Sequence, residues 1–206
     1  MRAFLLTSLV LSIPLLAQAQ ESFDFERGSF KLNTTTETHS GLLRLDAKHL
    51  VVKQYASGPT VKYPWQEVAS YRLGLRNYVK VSGFLAKSPS GWSQQPAQEE
   101  FVELLDSGTV SLMRYRRSFA GSADEVLYLL KRATEPTATT IPFSVLDGAG
   151  KKFREFLLPY LTNRPDLLAL LAAKKITIYN LQTLIHAYNT QTPFLNYPMQ
   201  APLSER

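Results

Sequence analysis

The sequence contains no cysteine. A chain without cysteine forms no disulfides and has no thiol to act as a nucleophile, carry a lipid or bind a metal. This excludes the small secreted domains whose stability depends on several disulfides. The core must therefore be built from apolar side chains, and 206 residues of which 45% are hydrophobic are enough to build one.

Histidine is scarce, and the common catalytic motifs are missing. The three histidines, His39, His49 and His186, have neither the spacing nor the neighbouring carboxylates of a metal motif. There is no G-x-S-x-G sequence, and the glycines before Lys151 do not complete a phosphate-binding loop. We therefore predict no catalytic residue, metal or cofactor. A hydrolase with a cryptic site remains an alternative, because convergent triads do not follow a fixed sequence order.

Long apolar runs are absent except at the start of the chain. Arg2 precedes an apolar run over residues 3–16, and Ala17-Gln18-Ala19 has the small residues of a cleavage site. This pattern is typical of an export signal and predicts a signal peptide over residues 1–19. No second run of spanning length follows, so we expect no membrane span after signal removal and a periplasmic or extracellular location.

The formal net charge is +6. A positive balance favours acidic partners through screened long-range attraction. We expect an acidic component of the cell envelope or a glycan. Nucleic acid is not expected, because the basic residues are spread along the sequence and an exported protein rarely meets nucleic acid.

Residues 41–146 predict an antiparallel β domain. Short strand patterns alternate there with turn residues, and no helical pattern separates them. Residues 20–40 are polar with alternating phenylalanines, which indicates an N-terminal arm or an edge strand. Residues 147–189 predict helices packed on the sheet, because apolar residues recur there every three or four positions. Residues 190–206 predict a flexible tail.

The clearest strand pattern is a hairpin followed by a third strand. Asp106-Ser107-Gly108 separates two strand-forming stretches, and Gly108 is expected to supply a positive φ in the turn. In the third strand, alternate residues over 126–130 are apolar on both faces. Such a strand is expected in the middle of a covered sheet. The predicted fold class is therefore α+β, with a curved antiparallel β-meander or flattened barrel followed by two or three C-terminal helices.

Three residues are candidates for ligand binding. Trp92 lies in a loop over residues 86–98 that is rich in proline, serine and glutamine, and its indole is either an exposed stacking platform or folded back on the sheet edge. Arg114 and Arg116 share a strand face and form either an anion-contact patch or part of an ordinary solvated surface. The leading functional hypothesis is a non-catalytic binding or envelope-associated protein, and the glycan-binding alternative uses Trp92.

The order of these segments resembles a group of exported bacteroidete proteins of unknown function. The similarity lies in FVELLDSGTVSLMRYRR (101–117), VLYLLKR (126–132), the stretch FREFLLPYLTNRPDLLALL and the LIHAYN sequence (184–189). The chain departs from the group in its long Trp92 loop and in lacking a cysteine that often precedes the position of Pro165. The resemblance implies export and a sheet followed by helices, and it implies no activity.

Overall fold

The computed structural model describes residues 25–46, 48–87, 93–117, 124–143 and 150–196. The chain divides into two compact units between Leu75 and Arg76. This boundary falls inside 41–146, the range that the sequence assigns to one β domain. The strands of both units are antiparallel, and helices follow them in the second unit, so the predicted α+β meander with C-terminal helices is confirmed.

The first unit contains five strands in the order β5-β1-β2-β3-β4. A single 3-10 turn separates β4 from β5, and Pro64, whose φ is fixed by its ring, immediately precedes it. The strands are β1 (Glu26–Leu32), β2 (His39–Leu45), β3 (His49–Lys53), β4 (Thr60–Pro64) and β5 (Val68–Leu73), and the turn is Trp65–Glu67.

The first strand differs from its prediction. Instead of an arm or an edge strand, β1 pairs with β2 on one side and with β5 on the other. Phe30 explains this inner position, because its ring is buried and packs on His39 of the neighbouring strand, with ring centroids 5.2 Å apart. Because polar residues surround Phe30 in the sequence, the pattern did not predict that its ring is buried.

The sheet of the first unit is curved. The ring centroids of Phe30 in β1 and Tyr63 in β4 are 5.1 Å apart, although two strands lie between them in the sheet order. In a flat sheet, three strand spacings alone would separate these positions by at least about 14 Å. The face that carries Phe30 is therefore concave and forms most of the core of the unit. The opposite face is convex, and Val51 on that face is also fully buried. Among the described residues, the outer strands of this order, β5 and β4, do not pair with each other.

The second unit contains five strands in the order β6-β9-β10-β11-β12 and a separate hairpin of β7 and β8. The strands are β6 (Arg76–Val81), β7 (Leu85–Lys87), β8 (Gln94–Pro96), β9 (Glu100–Asp106), β10 (Val110–Arg117), β11 (Glu125–Arg132) and β12 (Thr139–Thr140). The predicted hairpin at Asp106-Ser107-Gly108 and the third strand after it are thus both present.

Strand β11 is covered on both faces, as the alternation predicts. Leu130 belongs to an apolar cluster that includes the helices, whereas Leu129 belongs to a second cluster on the opposite face. Its position in the sheet is less central than expected, because only the two-residue strand β12 lies beyond it. Ile141 extends this edge by donating its backbone N–H to the carbonyl of Tyr128.

Part of the expected loop over 86–98 forms paired strands. Lys87 of β7 pairs with Gln94 of β8, and Leu85 pairs with Pro96 at the other end of the hairpin. Proline is tolerated at this edge because it removes only a donor. Trp92 lies outside the described residues.

Three helices follow the strands: α1 (Lys151–Leu157), α2 (Pro165–Ala172) and α3 (Leu181–Thr190). A 3-10 turn over Leu158–Tyr160 extends α1, and another over Ile178–Asn180 leads into α3. Thr177 caps the start of the second turn, where its side chain accepts a hydrogen bond from the Tyr179 N–H. Leu167 of α2 and Leu181 and Leu184 of α3 are fully buried in the apolar cluster that the helices form with the sheet of the second unit. The predicted signal peptide and residues 197–206 of the predicted tail lie outside the described residues.

Candidate anion-binding face

Positively charged side chains gather on the convex face of the first unit. In antiparallel strands, residues directly opposite each other project from the same face. Arg27 of β1 lies opposite Leu42 of β2, which in turn lies opposite Lys53 of β3. The cations that share this face, here called the basic face, are Arg27, Lys31, Arg44, Lys53, Lys62 and Arg72.

The remaining registers complete the basic face. Arg44 lies opposite Val51, and Val51 lies opposite Lys62. On the other side of the sheet, Arg72 of β5 lies opposite Ser29 of β1. Every strand of the unit therefore contributes at least one cation.

The described strand positions of this face carry no carboxylate. Of the acidic residues described in the first unit, Glu26 projects from the opposite face, as its pairing with Leu43 shows. Glu37 lies between β1 and β2, and Glu67 lies in the 3-10 turn. Asp46 follows β2, and its N–H donates to the carbonyl of His49, so Asp46 lies at the edge of the basic face. In the five strands, the basic face thus has six cations and no carboxylate.

Two of the cations pack on an aromatic ring. The Phe25 ring centroid lies 5.0 Å from Cζ of Arg44 and 4.7 Å from Nζ of Lys53. Both contacts are within the range of cation–π attraction, which limits the motion of the two side chains. These two cations are half-buried, whereas Arg27, Lys31, Lys62 and Arg72 are exposed.

The two arginines predicted as an anion patch have carboxylate partners. Arg114 donates from Nη2 and Nε to Oε2 of Glu103, at 2.6 and 3.1 Å, and its side chain is only 13% exposed. Burial alone would lower the pKa of Arg114, but the hydrogen bond and charge of Glu103 raise it overall. Arg116 is more exposed, and its Nε lies 3.6 Å from a carboxylate oxygen of Asp124. Both are in the second unit, so neither belongs to the basic face.

The histidines bear on the hydrolase alternative. His186 is 61% exposed and its Nδ1 lies 2.8 Å from Oδ2 of Asp106. The other oxygen of Asp106 accepts a hydrogen bond from Asn189, so the carboxylate joins α3 to the end of β9. His39 packs on Phe30, and its Nε2 is buried without a hydrogen-bond partner among the described residues. The Asp106–His186 contact therefore reads as a tertiary link between a helix and a hairpin.

The basic face was missed because its residues are far apart in the sequence. Arg44, Lys53 and Lys62 are each nine residues apart and are separated by turns, so no short window of the sequence contains two of them. The strands that carry them are predictable, and pairing those strands across their short turns would have aligned the three cations. The contribution of Arg27 and Lys31 required the inner position of β1.

Comparisons with protein-family models, with characterised proteins and with solved structures find no match to this chain. Among the described residues, no helix has the length and hydrophobicity needed to cross a membrane. Within the same residues, no group of three or more His, Asp or Glu side chains is placed to hold a metal ion.

Proposed function

We propose that this chain is an exported, non-catalytic binding protein that recognises an acidic partner through the basic face. The observation that carries the proposal is the distribution of charge in the first unit, where the described strand positions of the convex face hold six cations and no carboxylate. Such a face attracts anions and repels cations at distances up to about a Debye length, near 8 Å at physiological salt.

Export is supported by the sequence of residues 1–19, which has the charge, apolar run and small residues of a signal peptide. The resemblance of the 101–117 and 126–132 segments to exported bacteroidete proteins supports the same location. A partner outside the cytoplasm would then be an acidic component of the envelope.

The test compares two variants with equal loss of charge. The first replaces the four exposed cations of the basic face with glutamine, as Arg27→Gln, Lys31→Gln, Lys62→Gln and Arg72→Gln. The matched control replaces four exposed lysines of the second unit, as Lys151→Gln, Lys152→Gln, Lys174→Gln and Lys175→Gln. Both variants have the same net charge, so a difference between them reports position.

Binding is measured by calorimetry against poly-L-glutamate, polyphosphate and polygalacturonate. We expect the parent to bind at least one of them, and the basic-face variant to bind it about thirtyfold more weakly, because each exposed contact contributes about 0.5 kcal/mol. The affinity of the control variant should stay within about threefold of that of the parent. Added salt should weaken binding by both the parent and the control variant. Equal losses in the two variants, or no binding by the parent, would overturn the proposal. Thermal unfolding checks that both variants fold.

A further inference from the structure

The curvature of the first unit restricts the shape of an acidic partner. Phe30 and Tyr63 contact each other across the concave face, so the six cations lie on the outside of a bent sheet. A flat anionic surface can touch only part of a convex face at one time. A flexible chain of repeated negative charges can follow the curvature and reach cations on every strand.

The composition of the basic face restricts the chemistry of that chain. Its strand positions hold serine, threonine, leucine, valine, histidine and proline besides the cations, and no phenylalanine, tyrosine or tryptophan. Phe25, beyond the start of β1, has two cations against its ring. Single-stranded nucleic acids gain much of their affinity by stacking bases on aromatic side chains. The strand positions offer no such platform, and Arg44 and Lys53 already pack on the Phe25 ring beside them, whereas a polymer recognised by charge needs no aromatic platform.

We infer that the basic face binds a linear acidic polysaccharide that runs across the strands. This inference rests on the proposed function and adds the class of ligand. Neighbouring strands are about 4.8 Å apart, so a chain that crosses all five strands meets cations in successive steps. Each uronate or sulfate group along the polymer can contact one or two of these side chains, and the hydroxyls of Ser29, Ser40 and Ser70 on the same face can bond its sugars.

The experiment is a length series with competing polyanions. The full chain is titrated with galacturonate and with oligogalacturonates of about four, eight and sixteen sugars, which bracket the width of a five-stranded sheet at about 4.8 Å per strand. Matched arms use a thymidine oligonucleotide of equal charge and vesicles of phosphatidylglycerol in phosphatidylcholine. The basic-face variant and the second-unit control variant are run in parallel.

We expect no saturable binding of the monomer, an affinity that rises by about tenfold between the shortest and longest oligomers, and a plateau once the face is spanned. The oligonucleotide and the vesicles should bind more weakly at equal charge concentration. Affinity that is independent of length, or tighter binding of the oligonucleotide or the vesicles, would overturn the inference. If the oligonucleotide or the vesicles bind through the basic face, only the class of ligand is wrong and the proposed function still holds. If no polyanion binds, the proposed function itself is wrong.

Discussion

The side-chain amide of Asn189 donates a 2.7 Å hydrogen bond from Nδ2 to Oδ1 of Asp106, although the two residues are 83 positions apart. The same amide also pairs with the backbone of Val110, donating to its carbonyl at 2.8 Å and accepting from its N–H at 3.0 Å. Asn189 of α3 therefore satisfies three polar groups at the β9–β10 hairpin. These three hydrogen bonds connect α3 to the sheet of the second unit.

Asn189→Ala should destabilise the protein. The variant removes the partner of the Val110 N–H, and Val110 is fully buried. Leaving buried backbone groups unsatisfied costs about 1–3 kcal/mol, and we expect a loss of this size in the free energy of unfolding, measured in urea. Asn163→Ala, at an exposed position, is the control and should change stability by less than about 0.5 kcal/mol. Equal stability of the two variants would contradict the role assigned to Asn189.

Gly108→Ala should destabilise the protein through the same contact. A Cβ at Gly108 would lie 2.7 Å from Cγ and 2.8 Å from Oδ1 of Asn189, closer than real Cβ contacts allow. The amide would have to move and lose its hydrogen bonds. The Cβ of Asn189 would also lie 2.9 Å from the new Cβ, so the background that removes the obstruction is Asn189→Gly, and Gly108→Ala should cost much less there. Additive losses in this double-mutant cycle would show that the two positions are not coupled.

Gly108 also shows what local sequence patterns leave out. The turn position was predicted correctly, but the predicted reason, a positive φ, is wrong: among the described residues the glycines with positive φ are Gly74 and Gly83. Gly108 is required by the approach of a residue from the last helix. A contact between positions 81 residues apart has no periodic signal, whereas the alternation over β11 is local and predicts its two buried faces.

The fold and the candidate site differ in the same way, since the fold elements follow from local sequence and the basic face depends on distant residues. Helix α2 begins at Pro165 and a 3-10 turn follows Pro64, and the fixed φ of proline favours both positions. Arg44 and Lys62 are neighbours only through the register of three strands. Elements are set largely by nearby residues, and the basic face is set by the pairing of distant ones.

Glu103→Gln should destabilise the second unit. The substitution keeps the shape of the side chain and removes the charge that Arg114 contacts at 2.6 Å. Hydrogen bonds to charged groups contribute about 1.5–3 kcal/mol, so we expect a loss near 2 kcal/mol in urea unfolding. The double variant Glu103→Leu with Arg114→Met should recover most of it, because an apolar pair avoids the cost of burying charge. A double variant less stable than Glu103→Gln would contradict this account.

Arg164 and Asp166 should make stability depend on pH in the acidic range. Arg164 donates to both oxygens of Asp166, at 2.9 and 2.7 Å, and also to the carbonyls of Ala187 and Thr192, so it links the start of α2 to the end of α3. The hydrogen bonds from Arg164 lower the pKa of Asp166 in the folded protein. A carboxylate with a lowered folded pKa stabilises the fold above its unfolded pKa, about 3.9, and this contribution is lost as the pH falls through the folded value.

The measurement of this pH dependence compares the parent with Asp166→Asn. At pH 7 the variant should be less stable than the parent, and the difference should shrink as the pH falls below the unfolded pKa of the carboxylate, about 3.9. Asp124→Asn is the matched control, because its carboxylate is 3.6 Å from Nε of Arg116 at an exposed pair and should contribute less than about 0.5 kcal/mol. A difference between parent and Asp166→Asn that is the same at pH 7 and pH 3 would mean that Asp166 acts through packing, since only a charged carboxylate loses its contribution on protonation.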